Sequence, residues 1–98
     1  MNKGIALISL TMLVTACGEG HDPRAAQEKL RHSPGYKEAR SICAQCHALP
    51  SPEQHPAVAW PSVVARMEGY MRSSNKRMPT QAEEEALLGY FQSNSNWK

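Results

Sequence analysis

From residue 23 to residue 92 the apolar positions fall into short groups at three- and four-residue spacing, and they nowhere alternate over the length of a strand. The pattern predicts an all-α chain of three to four short helices. Asp22-Pro23 reads as an N-cap followed by proline at the first helical position, opening a helix to about Leu30. The polar run Arg24 to Lys29 would equally suit a mobile arm. Ser33-Pro34 repeats the cap and proline pattern, and Tyr36, Ala39 and Cys43 follow at helical spacing. Four prolines (Pro50, Pro52, Pro56 and Pro61) interrupt the stretch from Leu49 to Pro61, which reads as an irregular loop. Val63, Val64, Met67, Tyr70 and Met71 then mark a helix expected to bury that whole stripe, with Pro61 in its first turn. After a polar break at Ser73 to Arg77, Thr80 and Glu83 form a Thr-x-x-Glu capping box that starts a last helix near Gln81. Its apolar face is Ala86, Leu87, Tyr90 and Phe91, and the Ser-Asn-rich end after Gln92 is expected to fray.

The N-terminus has a different character. Lys3 precedes an almost wholly apolar run from Ile5 to Val14 that closes in Leu13-Val14-Thr15-Ala16-Cys17. The run is too short to span a bilayer core of roughly 30 Å and reads as a signal peptide over residues 1–16. Val14-Thr15-Ala16-Cys17 resembles the lipobox of bacterial lipoproteins, which implies lipidation of Cys17. Ordinary secretory cleavage nearby, leaving a free thiol, is the alternative. Either way the chain is exported. Residues 17–32 then serve as lipid anchor, tether and possible short helix, and residues 33–98 as one domain. Gly18 rather than aspartate after Cys17 leans, by resemblance to enterobacterial sorting, toward the outer membrane.

Cleavage before Cys17 leaves 82 of the 98 residues, and losing Lys3 from the eleven basic residues leaves ten against nine acidic. So near-neutral a chain, without a basic run interleaved with aromatics, points away from nucleic acid. It is also a thin core for one domain, which a large apolar cofactor would complete.

Cys43-Ala44-Gln45-Cys46-His47 supplies that cofactor, because Cys-x-x-Cys-His is the attachment pattern of a c-type haem. Two thiols add across the porphyrin vinyl groups, and His47 offers its neutral imidazole as the proximal iron ligand. A thioredoxin-type dithiol is the first competitor, but that chemistry sits on a βαβ scaffold. Zinc would need two more ligands, and His47 is poorly placed to join both sulfurs. A structural disulfide leaves His47 unexplained.

The order of haem-binding helix, proline loop, Trp-bearing helix, Met-Pro and capped C-terminal helix resembles a small bacterial class I cytochrome c over roughly Ser33 to Gln92. The resemblance implies one covalent haem c with short helices packed around it. It also implies a proline carbonyl that accepts from the His47 imidazole, best matched by Pro56 with Pro50 as the alternative. Trp60 matches a tryptophan that donates to a haem propionate, with simple packing as its other role. The sixth ligand carries over to Met78, although the span from His47 to Met78 is shorter than is usual in the family. Met71 and Met67 are the alternatives from the preceding helix, where core packing is the default. His55 is the histidine competitor, while His21 and His32 precede the motif and are expected to be solvated.

The function expected from these residues is electron transfer by an exported, lipid-anchored monohaem cytochrome on the periplasmic side of a bacterial membrane. It would not be an enzyme, and it would meet redox proteins transiently through a small surface at Ala44, Gln45 and the Met78 region. Two alternatives stay open: a haem subunit of a larger respiratory oxidoreductase, and a gas-binding or peroxidase-like protein with a labile sixth ligand.

Overall fold

The computed structural model describes Gly4 and residues 22–96; the apolar leader, Cys17 and His21 lie outside the described residues. Four helices run in order: α1 (Pro23–Arg31), α2 (Tyr36–Cys43), α3 (Trp60–Ser73) and α4 (Gln81–Ser93). There is no strand among the described residues, so the all-α expectation holds. Nor is any described helix long and apolar enough to cross a membrane.

Local chemistry accounts for each boundary. Asp22 accepts the Arg24 backbone N–H at 3.0 Å, with Pro23 in the first turn and Lys29 and Arg31 in the last, so the weak signal does form α1. None of its residues is buried, and only Leu30 leans on the core. The Ser33-Pro34 cap is not used as expected. Ser33 instead closes a turn, its carbonyl taking the Tyr36 N–H at 3.2 Å, and α2 is capped by Gly35 at φ +82°. Two demands converge on that glycine. The left-handed backbone disfavours a side chain, and a Cβ would collide with the Ala86 carbonyl oxygen of α4. Gly35→Ala is therefore expected to cost about 2–4 kcal/mol, read as a lower urea midpoint. An unchanged midpoint would show that this close approach of α2 to α4 is dispensable.

The proline-rich stretch is more ordered than expected, holding two single 3-10 turns at Pro52–Gln54 and Ala57–Ala59. They seat Trp60 at the start of α3, fully buried, with Pro61 in the first turn. α3 ends in a Schellman arrangement. Asn75 takes φ +56°, the Lys76 N–H reaches the Met71 carbonyl at 2.8 Å, and the Asn75 N–H reaches Arg72 at 3.4 Å. The Thr80–Glu83 capping box forms as predicted, with the Thr80 hydroxyl accepting the Glu83 N–H at 3.1 Å and the Glu83 carboxylate accepting the Thr80 N–H at 3.0 Å. The C-terminal end does not simply fray after Gln92. Asn94 donates to the Tyr90 carbonyl at 2.8 Å and accepts from the Ser33 hydroxyl at 3.3 Å, and Ser95 donates to the His55 carbonyl.

α4 is the spine of the fold, with α2 and α3 both packed on it. The core joins Ala39, Ile42 and Cys43 of α2, Trp60, Val63, Val64 and Met71 of α3, and Leu87, Tyr90 and Phe91 of α4. Trp60 stacks on Phe91 at 4.1 Å, and Tyr90 meets Phe91 and Tyr36 edge-on at 5.0 and 5.6 Å. Burial holds the Tyr90 phenol protonated, its pKa pushed up to about 12.

At the head of α4, Arg77 grips Glu83 through two N–H···O bonds of 2.9 and 3.1 Å. That pair, followed by the Thr80 backbone N–H, holds the Glu83 carboxyl down at about 2 against an ordinary 4.5. A depressed carboxyl contributes stability that is complete above its unfolded pKa and disappears as pH falls through the folded one. Unfolding free energy is therefore expected to drop from about pH 4.5 toward pH 2, and Glu83→Gln should flatten that slope in acid titrations followed by circular dichroism. An equally steep slope in Glu83→Gln would assign the acid sensitivity elsewhere.

Candidate functional site

α2 and α3 lean apart above α4, and between them lies a cleft of about 380 Å³. Its lining comes from the end of α2 and the turn after it (Ile42, Cys43, Gln45, Cys46 and His47) and from one face of α3 (Met67, Tyr70, Met71 and Ser74). The α3 set is an i, i+3, i+4, i+7 stripe, so a single helix face looks into the cleft. Both sequence-predicted thiols and the predicted imidazole are thus brought to one place.

Each group is set by its local backbone. Cys43 is the last residue of α2, 6% exposed and part of the core, while Cys46 stands exposed in the following turn. Both are free thiols. Burial, with the Glu68 carboxylate adding repulsion, pushes the Cys43 thiol up to about 11. Thiol–disulfide exchange uses the opposite arrangement, a nucleophile whose pKa is lowered. His47 is exposed, and its Nδ1 lies 2.8 Å from the Ala48 carbonyl. A proton on Nδ1 in that contact leaves the Nε2 lone pair free for a metal.

Among the described residues no three His, Cys, Asp or Glu side chains gather as a self-contained metal cage. A tetrahedral zinc centre would require one. A c-type haem makes a smaller demand, because the porphyrin supplies four iron ligands and the chain adds two thiols, an imidazole and a sixth donor. The cleft carries that set, with two methionines facing the Cys-x-x-Cys-His turn across it.

The structure places the remaining sequence-predicted residues elsewhere. Met78 is half-buried against the core and is not among the residues lining the cleft, whereas Met67 and Met71 are. Trp60 is 0% exposed, and its indole N–H goes to the Pro52 carbonyl at 3.1 Å, which makes it a packing residue with its one donor already engaged. The Pro56 carbonyl accepts the Ala59 N–H at 2.9 Å, and the His47 contact is made by Ala48 instead. Pro50 is half-buried outside the cleft lining. The His55 ring sits edge-on to Trp60 at 5.0 Å, and His32 pairs with Glu28 at the surface at 2.9 Å.

Three residues gain a place that sequence reasoning did not give them. Tyr70, expected in the buried stripe, is 66% exposed at the cleft. Its position three after Met67 and four before Ser74 is the available signal. Gln45 sends its side chain back across the turn to α3 and Arg77. Glu68, next to Met67, has an Oε1 atom buried without a partner and a pKa raised by burial and by Glu84 against the opposing pull of Arg72. Nothing in the residue pattern distinguishes it from a solvated carboxylate.

No protein-family model, curated protein or solved structure matches this chain.

Proposed function

We propose that this chain is a monohaem c-type cytochrome that carries single electrons, attached through Cys43 and Cys46 and ligated by His47. The observation that supports it is convergence: both thiols, the imidazole and two thioethers line one cleft with Ile42 and Tyr70 as apolar walls. When bound, haem c supplies a one-electron iron couple; the chain's own residues set what surrounds it. The Ala48 carbonyl takes up His47 Nδ1, which leaves Nε2 as the nitrogen to ligate iron. α3 supplies the sixth ligand. Met67 is the better donor of its pair because it is only partly buried, while Met71 is 5% exposed and belongs to the core. Exposed Ala44 and Cys46 leave the attachment edge open to a transient redox partner, the kind of encounter that needs only a small surface. Export and lipidation at Cys17, on the periplasmic side of a bacterial membrane, complete the proposal and rest on the sequence pattern of residues 1–17.

The test is direct. The full chain, expressed with its own leader in a bacterium that matures c-type cytochromes, should retain haem on a denaturing gel and give a six-coordinate, low-spin visible spectrum. A colourless band would overturn the proposal, and a five-coordinate spectrum would favour a gas-binding protein.

A further inference from the structure

Gln45 is the third residue of the attachment pentapeptide, and its amide touches more of the molecule than a spacer needs to. Its Nε2 donates to the Ile42 carbonyl at 2.9 Å and to the Arg77 carbonyl at 2.8 Å, and lies 3.8 Å from the Met71 sulfur. Its Oε1 accepts the Arg77 backbone N–H at 3.0 Å. Donating to and accepting from one residue, the side chain pairs with Arg77 as a neighbouring strand would. Arg77 is held at its other end too, by Ser41 at 2.7 Å and by Glu83. The backbone beside Met78 is therefore fixed from both α2 and α4.

These contacts bear on a choice that the cleft leaves open. Three methionines follow the attachment turn, Met67 and Met71 in the cleft lining and Met78 outside it, and iron takes one thioether. The Met71 sulfur lies 3.8 Å from the Gln45 amide nitrogen, and the backbone one residue before Met78 is held by the Gln45–Arg77 pairing. Met67 is free of both restraints. We propose that Gln45 is a positioning residue that sorts the methionines, holding Met71 and Met78 away from the iron so that Met67 alone ligates it. The inference rests on the haem proposal above and goes beyond it by assigning a role to a spacer residue.

The experiment counts ligating methionines by proton NMR of the reduced, haem-loaded full chain, where the ε-methyl of an iron-bound methionine is displaced far upfield by the porphyrin ring current. The wild-type protein should show one such methyl, assigned to Met67 by its loss in Met67→Leu. Gln45→Leu should show a second, and adding Met71→Leu should remove whatever share belongs to Met71. Gln45→Glu keeps an acceptor for the Arg77 N–H but loses the donor to the Arg77 carbonyl and the contact with Met71, so it should release Met71 and weaken, without abolishing, the hold on the Met78 segment. In Gln45→Leu the Arg77 amide should also exchange with solvent roughly tenfold faster. A haem-loaded Gln45→Leu with a single upfield-displaced methyl at the wild-type position and an unchanged Arg77 exchange rate would overturn this proposal alone. A wild-type chain without covalent haem would overturn the haem reading and this proposal with it.

Discussion

A chain in which Cys43 and Cys46 are both alanine is expected to lose all denaturation-resistant haem, the largest effect any substitution here should have. The two thiols occupy different environments, and the single variants should therefore differ. Cys46 is exposed, so Cys46→Ala removes one thioether link and little packing, and should leave a reduced amount of holoprotein held by one bond. Cys43 is a core residue between α2 and its neighbours, so Cys43→Ala removes a link and also opens a small void. Haem-stained gels and the thermal stability of each apo chain separate the two contributions. Full haem retention by the double variant would exclude a c-type attachment.

Met67→Ala is expected to abolish the weak long-wavelength sulfur-to-iron charge-transfer band of the oxidised protein. It should also lower the reduction potential by on the order of 100 mV, within the roughly 0.8 V range over which axial ligands set haem potentials. Met71→Ala should instead keep the band and lose stability by about 2–5 kcal/mol, because Met71 is 5% exposed and belongs to the core cluster. Met78→Ala should keep the band with a smaller stability loss, since that side chain is only partly buried. Loss of the band in Met78→Ala would restore the ligand position that the class I resemblance implies. Loss in Met71→Ala would keep the ligand on α3 but move it one turn.

Much of the fold could be read from local chemistry, because local chemistry decides it. The Thr80–Glu83 box, the Pro61 first turn and the helical spacing into Cys43 each involve residues within four positions of one another, and each appears in the structure. No local pattern marks Gly35, because its requirement comes from Ala86, fifty-one residues away, and a sequence pattern carries no trace of that distance. Periodicity had a related limit on α3. Residues at three- and four-residue spacing read as one buried stripe, but a helix touching two surfaces carries two overlapping stripes. One, from Trp60 through Val63 and Val64 to Met71, meets the core, and the other, from Met67 through Tyr70 to Ser74, meets the cleft. Polarity alone does not separate them, because an apolar cleft is lined by the same kinds of side chain as a core. The Met-Pro context of Met78 was a family resemblance, and the cleft here is built from α3.

The shared reliance of α2 and α3 on α4 has a mechanical consequence. The attachment arm meets the spine backbone to backbone at Gly35, and the Gln45 side chain reaches from the attachment turn to Met71 on the arm that carries the methionines. Whatever fills the cleft becomes a keystone, converting two separately supported arms into one arch. A keystone held by ordinary affinity would fall out on dilution, since the stabilisation it gives depends on its free concentration. One fastened by two covalent bonds to the α2 arm would make the strength of the arch independent of any pool outside the chain.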